Sequence, residues 1–276
     1  TIVTCDNGIA AREQVKFGKE MGMTILITDH HDIPIGEELP PADTIVNPKQ
    51  ENCGYPFKGI CGAVVAYKLV EALYESFGFE KQNVTDDFLE FAAIATVGDI
   101  MELQDENRII VKEGLKRIHH TKNIGLRSLI EVNGLERDSI GAYHIGFVLG
   151  PCINAGGRLD TAKRALELFA SEDKEAADRL AGDLKALNDS RKELTKDGVD
   201  EAVRQVLDTG RRSERVLVIY LPDCHESIAG IIAGKVKEQF YRPTIVLTDA
   251  EDGIKGSGRS IPGYNMFEEL SKVGDL

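Results

Sequence analysis

Short runs of aliphatic and β-branched residues alternate along this chain with stretches whose apolar positions recur at helical spacing. Ile2 to Cys5 is such a run, and Asp6-Asn7-Gly8 after it is a turn signal, so a strand is expected there. Residues 9 to 21 carry Ala10, Val15, Phe17 and Met21 at helix-like spacing. Met23 to Thr28 (MTILIT) reads as the next buried strand and runs into Asp29-His30-His31. Thr44 to Val46 is a third, ending at Asn47-Pro48. Residues 62 to 77 predict a helix, and Phe88 to Val97 an apolar helix that leads into Gly98-Asp99. Strands that alternate with helices pair in parallel, so an α/β sheet is predicted.

Residues 107 to 118 and 124 to 132 predict further helices. Gly150 to Leu159 (GPCINAGGRL) reads as a loop, because Gly, Pro and Asn punctuate local structure. A long charged stretch follows. Ser171 is the expected N-cap, with Glu172 and Asp173 in the first turn. Leu180, Leu184, Leu187, Leu194, Val199, Val203 and Val206 keep roughly helical spacing, and no Pro interrupts residues 171 to 207. This predicts one long connecting helix, broken at most once. Two helices of one domain are the plain alternative. Strand-like runs at 215 to 221, 243 to 248 and 255 to 261, with a helix at 227 to 240, then form a smaller α/β domain. The boundary is placed near Asp208-Thr209-Gly210. The expected organisation is a parallel-sheet α/β domain over 1–168, a connecting helix over 169–208 and the smaller α/β domain over 209–276.

Hydrophobic residues make up 42% and charged residues 29% of the chain, an ordinary globular composition. No apolar run approaches the ~18 residues of a transmembrane helix, and no signal peptide opens the chain. Cys5, Cys53, Cys61, Cys152 and Cys224 are scattered without zinc spacing, so a reduced cytoplasmic protein is expected. The net charge of −13 speaks against a generic nucleic-acid coat. It leaves a nuclease open, since a nucleic-acid path needs only a local basic stripe and metal ions bring positive charge of their own. The text opens at Thr1 inside a strand, and Ser271 to Leu276 carry no closing element, so a piece of a longer protein is expected.

The chemistry concentrates at strand ends. In an open parallel sheet, ligands bind beyond the carboxyl ends of the strands. Asp6 and Asp29-His30-His31 both fall on that edge, and Asp99 can reach it through its loop. Several carboxylates with imidazole suit Mn²⁺ or Mg²⁺. A lone Asp after a strand is usually a turn or cap residue. Two adjacent His after such an Asp are rarer, and strand alternation would turn only one of them inward.

The stretches TCDNG, TDHH and ATVGDIMEL, in that order, resemble motifs of the DHH phosphoesterase superfamily, and VNPKQENCGYPFKGICGAVVAYKL, IGFVLGPCINAGGRLDTA and SIAGIIAGKVKEQFYRPTIVL are similar to its RecJ-type exonucleases. The resemblance implies a DHH domain joined by a long helix to a DHHA1-type domain. It implies Mn²⁺- or Mg²⁺-dependent, 5′→3′ hydrolysis of single-stranded DNA by two metal ions, in repair and recombination. Asp6 matches a carboxylate bridging both metals, and His30 and Asp99 match further metal ligands. His31 would contact the scissile phosphate, with Asp29 orienting the pair. The family's upstream aspartate motif would precede Thr1, so a partial metal centre and little hydrolysis are expected of the chain as given.

The same resemblance assigns nucleic-acid or phosphate contacts to Asn154, Gly157, Arg158, His225, Ser257 and Arg259. Read from residues alone, Arg158 fits a connecting turn equally well, His225 a helix cap, and Arg259 an exposed strand end. Cys152 stands where many relatives carry Arg, and Cys224 where the family often has Trp. The implied partner is single-stranded DNA, with a helicase or single-strand-binding protein as possible company; no membrane is expected, and the chain should be a monomer. A DHH phosphodiesterase for oligoribonucleotides or cyclic dinucleotides, and a non-catalytic single-strand binder, are the alternative readings.

Overall fold

Three strands carry the first part of the chain: β1 (Ile2–Cys5), β2 (Ile25–Thr28) and β3 (Thr44–Val46). They pair in parallel in the order β1-β2-β3. The register sets Cys5 beside Thr28 and Thr28 beside Val46. All three strands therefore stop at one edge, and the next residue of each, Asp6, Asp29 and Asn47, stands on it. The ladder runs one step further, because Asp6 N–H donates to Thr28 O (3.0 Å) and Asp29 N–H to Val46 O (3.0 Å). The computed structural model describes residues 1–33, 38–251 and 253–273.

Helix α1 (Arg12–Glu20) packs Val15 against Ile25 and Ile27 of β2. Helices α2 (Gly62–Ser76), α3 (Lys81–Gly98) and α4 (Asp105–His119) share a core that includes Ile60, Val64, Val65, Val84, Ala93 and Ile110. Gly114 lets α4 approach α3 closely: a Cβ there would lie 2.3 Å from that of Ala93. α5 (Ile124–Val132) follows, capped by Asn123, whose side chain accepts from Leu126 N–H.

α3 ends in a turn that matters for the site. Ile100 N–H donates to Val97 O and Met101 N–H to Thr96 O, both at 3.1 Å, the paired bonds of a Schellman motif. The position that favours Gly in that motif is Ile100, at φ 56° and 90% exposed. A β-branched residue in the left-handed region is strained. The strain is stored directly beside Asp99.

Glu90 of α3 is 5% exposed and accepts a hydrogen bond from the Thr121 hydroxyl (2.7 Å). Burial pushes its carboxyl above the ordinary range, against the opposing Thr121 bond and the Arg117 charge on α4. A folded-state pKa above the unfolded one means that Glu90's stabilisation is complete below the unfolded pKa. It is lost as pH rises through the folded value. Glu90→Gln keeps an acceptor for Thr121 and removes the buried charge. Its melting temperature should exceed the parent's at pH 8, with the gain shrinking toward pH 4.5. Each kcal/mol would appear as about 2–4 °C. A difference between the two proteins that does not grow with pH would remove this account of Glu90.

Gly150–Leu159 corrects the expected loop: it is helix α7. It continues an α-turn, α6 (Ala142–His144), and a five-residue π-helical segment, Ile145–Leu149. Pro151 lacks an N–H, and its ring crowds the carbonyl four residues back in an α-helix. The π-segment widens the helix just before it. Gly150 N–H bonds to Ile145 O, five residues back, and a Cβ on Gly150 would stand 2.8 Å from that oxygen. Leu149, Cys152 and Ala155 are fully buried. Packing thus overrides the weak local propensity of Gly, Pro and Asn.

After α8 (Lys163–Ala170), helix α9 runs unbroken for 35 residues, Lys174–Asp208. Its cap differs from the expected Ser171. Asp173 directly precedes the helix and its carboxylate accepts from Glu175 N–H, while Ser171 Oγ accepts from Asp173 N–H. The second sheet holds β4 (Leu217–Tyr220), β5 (Thr244–Ala250) and β6 (Gly253–Arg259), with β4 parallel and β6 antiparallel to β5. Helix α10 (Glu226–Phe240) joins β4 to β5, and α11 (Met266–Ser271) follows β6. Ile228, Ile232 and Val236 of α10 meet Leu217, Ile219, Val246 and the α9 residues Ala202 and Val206.

Two compact units emerge. One is Thr1–Pro151 with Phe169–Asp178, and the other is Cys152–Leu168 with Arg179–Leu276. Among the described residues, no helix is long and apolar enough to cross a membrane.

Candidate metal centre

Asp29 is the anchor of the first unit's sheet edge. It is 1% exposed, and its two oxygens take four donors. Ile9 N–H reaches Oδ2 at 2.9 Å. His30 N–H, His31 N–H and His31 Nδ1 reach Oδ1 at 2.7, 3.1 and 2.7 Å. Burial alone would raise this carboxyl, but the bonds from Ile9, His31 and His30 outweigh it and hold it below the ordinary range. Asp29 therefore stays a carboxylate and folds the Asp-His-His turn around itself.

The two imidazoles then part company. The hydrogen bond to Asp29 raises the pKa of His31, aided by the charges of Asp29, Asp6 and Asp99 against a smaller loss from burial. With Nδ1 bound to Asp29, Nε2 of His31 is left for other chemistry, on a side chain that is 59% exposed. His30 is buried. Its Nε2 faces Asp6 Oδ1 at 3.0 Å and Asp99 Oδ2 at 3.4 Å. Its Nδ1 is buried without a hydrogen-bond partner among the described residues.

Asp6 sits at φ 62°, a left-handed conformation in which a non-glycine residue is strained. Burial raises its pKa, and the negative charges of Asp99 and Asp29 add to this, against the two histidines. Carboxylates pressed together around an imidazole call for a cation. The space agrees. Gly62 opens α2, and a Cβ on it would lie 2.1 Å from Asp6 Oδ1. Only the bare backbone leaves room for this carboxylate at the positive end of the helix. Asp6, His30 and His31 offer donor atoms that all lie within 4.8 Å of one another. Oxygen and imidazole donors of this kind fit Mn²⁺ or Mg²⁺.

The structure thus brings together Asp6, Asp29, His30, His31 and Asp99. It puts His31 in the tight donor set and Asp99 against His30 at a slightly longer distance. Asp99 arrives as the C-cap of α3. Asn47 escaped sequence reasoning as a site residue. It is 1% exposed, and its Nδ2 donates to His31 O at 3.0 Å while Lys49 N–H donates to its Oδ1. Its only signal was its place at the end of the third strand.

In the second unit, the phosphate-contact candidates gather around the start of α10. His225 is its N-cap, with Nδ1 accepting from Ser227 N–H and contacting Ser227 Oγ at 2.7 Å. Arg158 Nη1 donates to Ser227 O at 2.7 Å, and Ser227 Oγ returns a bond to Arg158 O at 2.8 Å. Arg259 and Ser257 crowd Gly230, where a Cβ would lie 2.5 Å from Arg259 Nη2 and 2.6 Å from Ser257 Oγ. Asn154 and Gly157 stand apart, exposed on α7. The α7 glycine that packs tightly is Gly156, against Thr161 O and Leu184.

Residues 1–96 match the DHH family, N-terminal domain, and residues 213–275 match the DHHA1 domain. The single-stranded-DNA-specific exonuclease RecJ of Bacillus subtilis (strain 168) is 41% identical over 277 aligned residues, covering 100% of this chain and 34% of that protein. The crystal structure of RecJ in complex with Mn²⁺ from Thermus thermophilus superposes with a TM-score of 0.85 at 31% identity, over 99% of this chain and 39% of that one. A crystal structure of exonuclease RecJ bound to manganese gives a TM-score of 0.82 at 31% identity, over 99% and 66%. The chain spans about a third of the Bacillus subtilis relative's length.

Proposed function

We propose, since the chain belongs to the DHH family and matches RecJ proteins over its whole length, that it is the core of a metal-dependent 5′→3′ exonuclease on single-stranded DNA, acting in repair and recombination. Residues 1–168 form its DHH catalytic domain, 169–208 the connecting helix and 209–276 the DHHA1-type substrate-binding domain. One observation carries the reading: His30 Nε2 converges on Asp6 and Asp99, while His31 is locked beside them on a buried carboxylate.

Asp6, His30 and Asp99 would hold the metal, with His31 beside them. When bound, Mn²⁺ or Mg²⁺ would supply Lewis-acid charge to the phosphate oxygens. Asp29 fixes the ring orientation of His31 and favours its protonated form, so that Nε2–H can donate to the scissile phosphate. Asn47 ties down the carbonyl of the same residue, which keeps the turn from swinging out. Arg158, His225, Ser257 and Arg259 hold the strand's backbone.

The test pairs a metal titration with a substrate comparison. Mn²⁺ should raise the melting temperature of the chain, by about 2.7 kcal/mol of stabilisation at a hundredfold excess over Kd. Asp6→Asn should abolish that rise. Mn²⁺-dependent degradation, expected to be slow in the chain as given, should favour a 5′-phosphorylated single strand over a duplex and over a dinucleotide, and EDTA should stop it. A parent protein indifferent to Mn²⁺ would remove the metal site, and a preference for the dinucleotide would replace the substrate class.

A further inference from the structure

Three arginines near α8 and α9 face carboxylates, while Arg179, Arg212 and Arg215 are exposed and pair with none among the described residues. Arg164 pairs with Asp160 and Asp183, Arg204 with Glu201 and Arg211 with Glu214. Arg158 and Arg191 do not. Neither makes an ion pair among the described residues, and both are half-buried in the second unit. Burial lowers the pKa of Arg191, and the Arg158 charge adds to this against Cys152. Half-buried guanidiniums of one unit, each without a carboxylate partner among the described residues, are candidates to hold an anion.

Arg191 is also aimed. Asn188, one turn earlier on α9, is 2% exposed, and its Nδ2 donates to Cys152 Sγ of α7 at 3.3 Å. Its Oδ1 takes two donors from Arg191, Nε at 3.1 Å and Nη2 at 2.9 Å. A guanidinium has five N–H groups. The three left over have no partner among the described residues. The buried amide thus fixes one edge of the fork and presents the other. Arg158 is fixed in the same manner, by its exchange of hydrogen bonds with Ser227 in the first turn of α10.

We propose that Arg191, clamped by Asn188, is a second anchor in addition to Arg158 for the phosphodiester backbone of single-stranded nucleic acid. This rests on the reading that the second unit holds the strand. Planar forks match phosphate oxygens in two-pronged contacts, and guanidiniums without carboxylate partners explain how a chain of net charge −13 can hold a polyanion. Asn188 is a positioning residue, acting through Arg191.

The experiment measures binding of the 276-residue chain to a fluorescent oligothymidylate of about 12 nucleotides in EDTA, by anisotropy, as KCl is varied. Arg191→Gln should weaken binding about tenfold and flatten the slope of log K against log[KCl] by about 0.7, the share of one phosphate contact on a single strand. Arg191→Lys keeps the charge but not the fork, so it should keep the parental slope and lose affinity severalfold. A purely structural role would lower the melting temperature and leave the slope alone. If the parent binds and Arg158→Gln weakens it, while folded Arg191→Gln keeps parental affinity and slope, the inference fails and the exonuclease reading stands. Parental affinity in Arg191→Lys would equally refute the two-pronged anchor. If the parent does not bind the strand at all, both fall. Inorganic phosphate that binds with the same Arg191 dependence, where the oligonucleotide does not, would assign the site to a small anion and overturn the backbone claim.

Discussion

Replacing Asp29 with Asn will cost the protein about 2–4 kcal/mol of stability and most of its response to Mn²⁺. The substitution is nearly isosteric, so the loss comes from hydrogen-bond polarity alone. Both carboxylate oxygens are acceptors, one for Ile9 N–H and the other for three donors from His30 and His31. An amide has one acceptor and one donor end. Whichever way it turns, its NH₂ meets at least one buried N–H that has no other acceptor. The ring of His31 also loses its charged partner, and changes in groups that orient metal-site residues typically cost about 10- to 100-fold in affinity or activity. Thermal melts with and without Mn²⁺, and cleavage of a single strand, read out both parts. Parental melting and a parental Mn²⁺ shift in Asp29→Asn would show that the turn does not depend on this carboxylate.

Gly62→Ala separates function from stability. The added Cβ would stand 2.1 Å from Asp6 Oδ1 and 2.6 Å from its Cγ, far inside any contact distance. Asp6 is half-exposed on its side chain, so it can swing away at little cost to the fold. Alanine is also favoured over glycine within a helix, by up to ~1 kcal/mol. The melting temperature should therefore hold or rise. Affinity for Mn²⁺ should fall at least tenfold, because Asp6 leaves its place 3.0 Å from His30 Nε2. Isothermal titration with Mn²⁺ measures this. A variant that binds Mn²⁺ as well as the parent would mean that Asp6 does not hold metal where the structure puts it.

The grouping at the candidate metal centre was readable from the chain because parallel strands have one polarity. Any residue directly after β1, β2 or β3 must lie on the same edge, so Asp6 and the Asp-His-His turn could be grouped before a fold was known. Asp99 was grouped for a weaker reason, and it reaches the site as a helix cap, set by how α3 packs on its neighbours. Asn47 looked like any residue before a proline. Its worth comes from the sheet register, which brings it level with Asp29 and its side chain within reach of His31 O.

The helix at Gly150–Leu159 marks the other limit. Local preference called for a loop, and nothing in the residues announced the π-helical turn or the buried faces of Cys152 and Ala155 that make a helix worthwhile. The same blindness hid Arg191. In a long charged helix every arginine looks solvated, and only packing shows which one is tied to a buried amide and left without a carboxylate.

Sequence by itself determined the α/β class, the strand-end acids and histidines, the helical periodicity of α9 and the strand and helix of the second unit, because these follow from periodicity and chain direction. Tertiary structure alone decided that Gly62 makes room for Asp6, that Asn47 and Asn188 are clamps, and that Arg158 and Arg191 are each tied to a hydrogen-bond partner without a carboxylate. Each of those depends on distances between residues far apart along the chain, which burial and register set and no local pattern encodes.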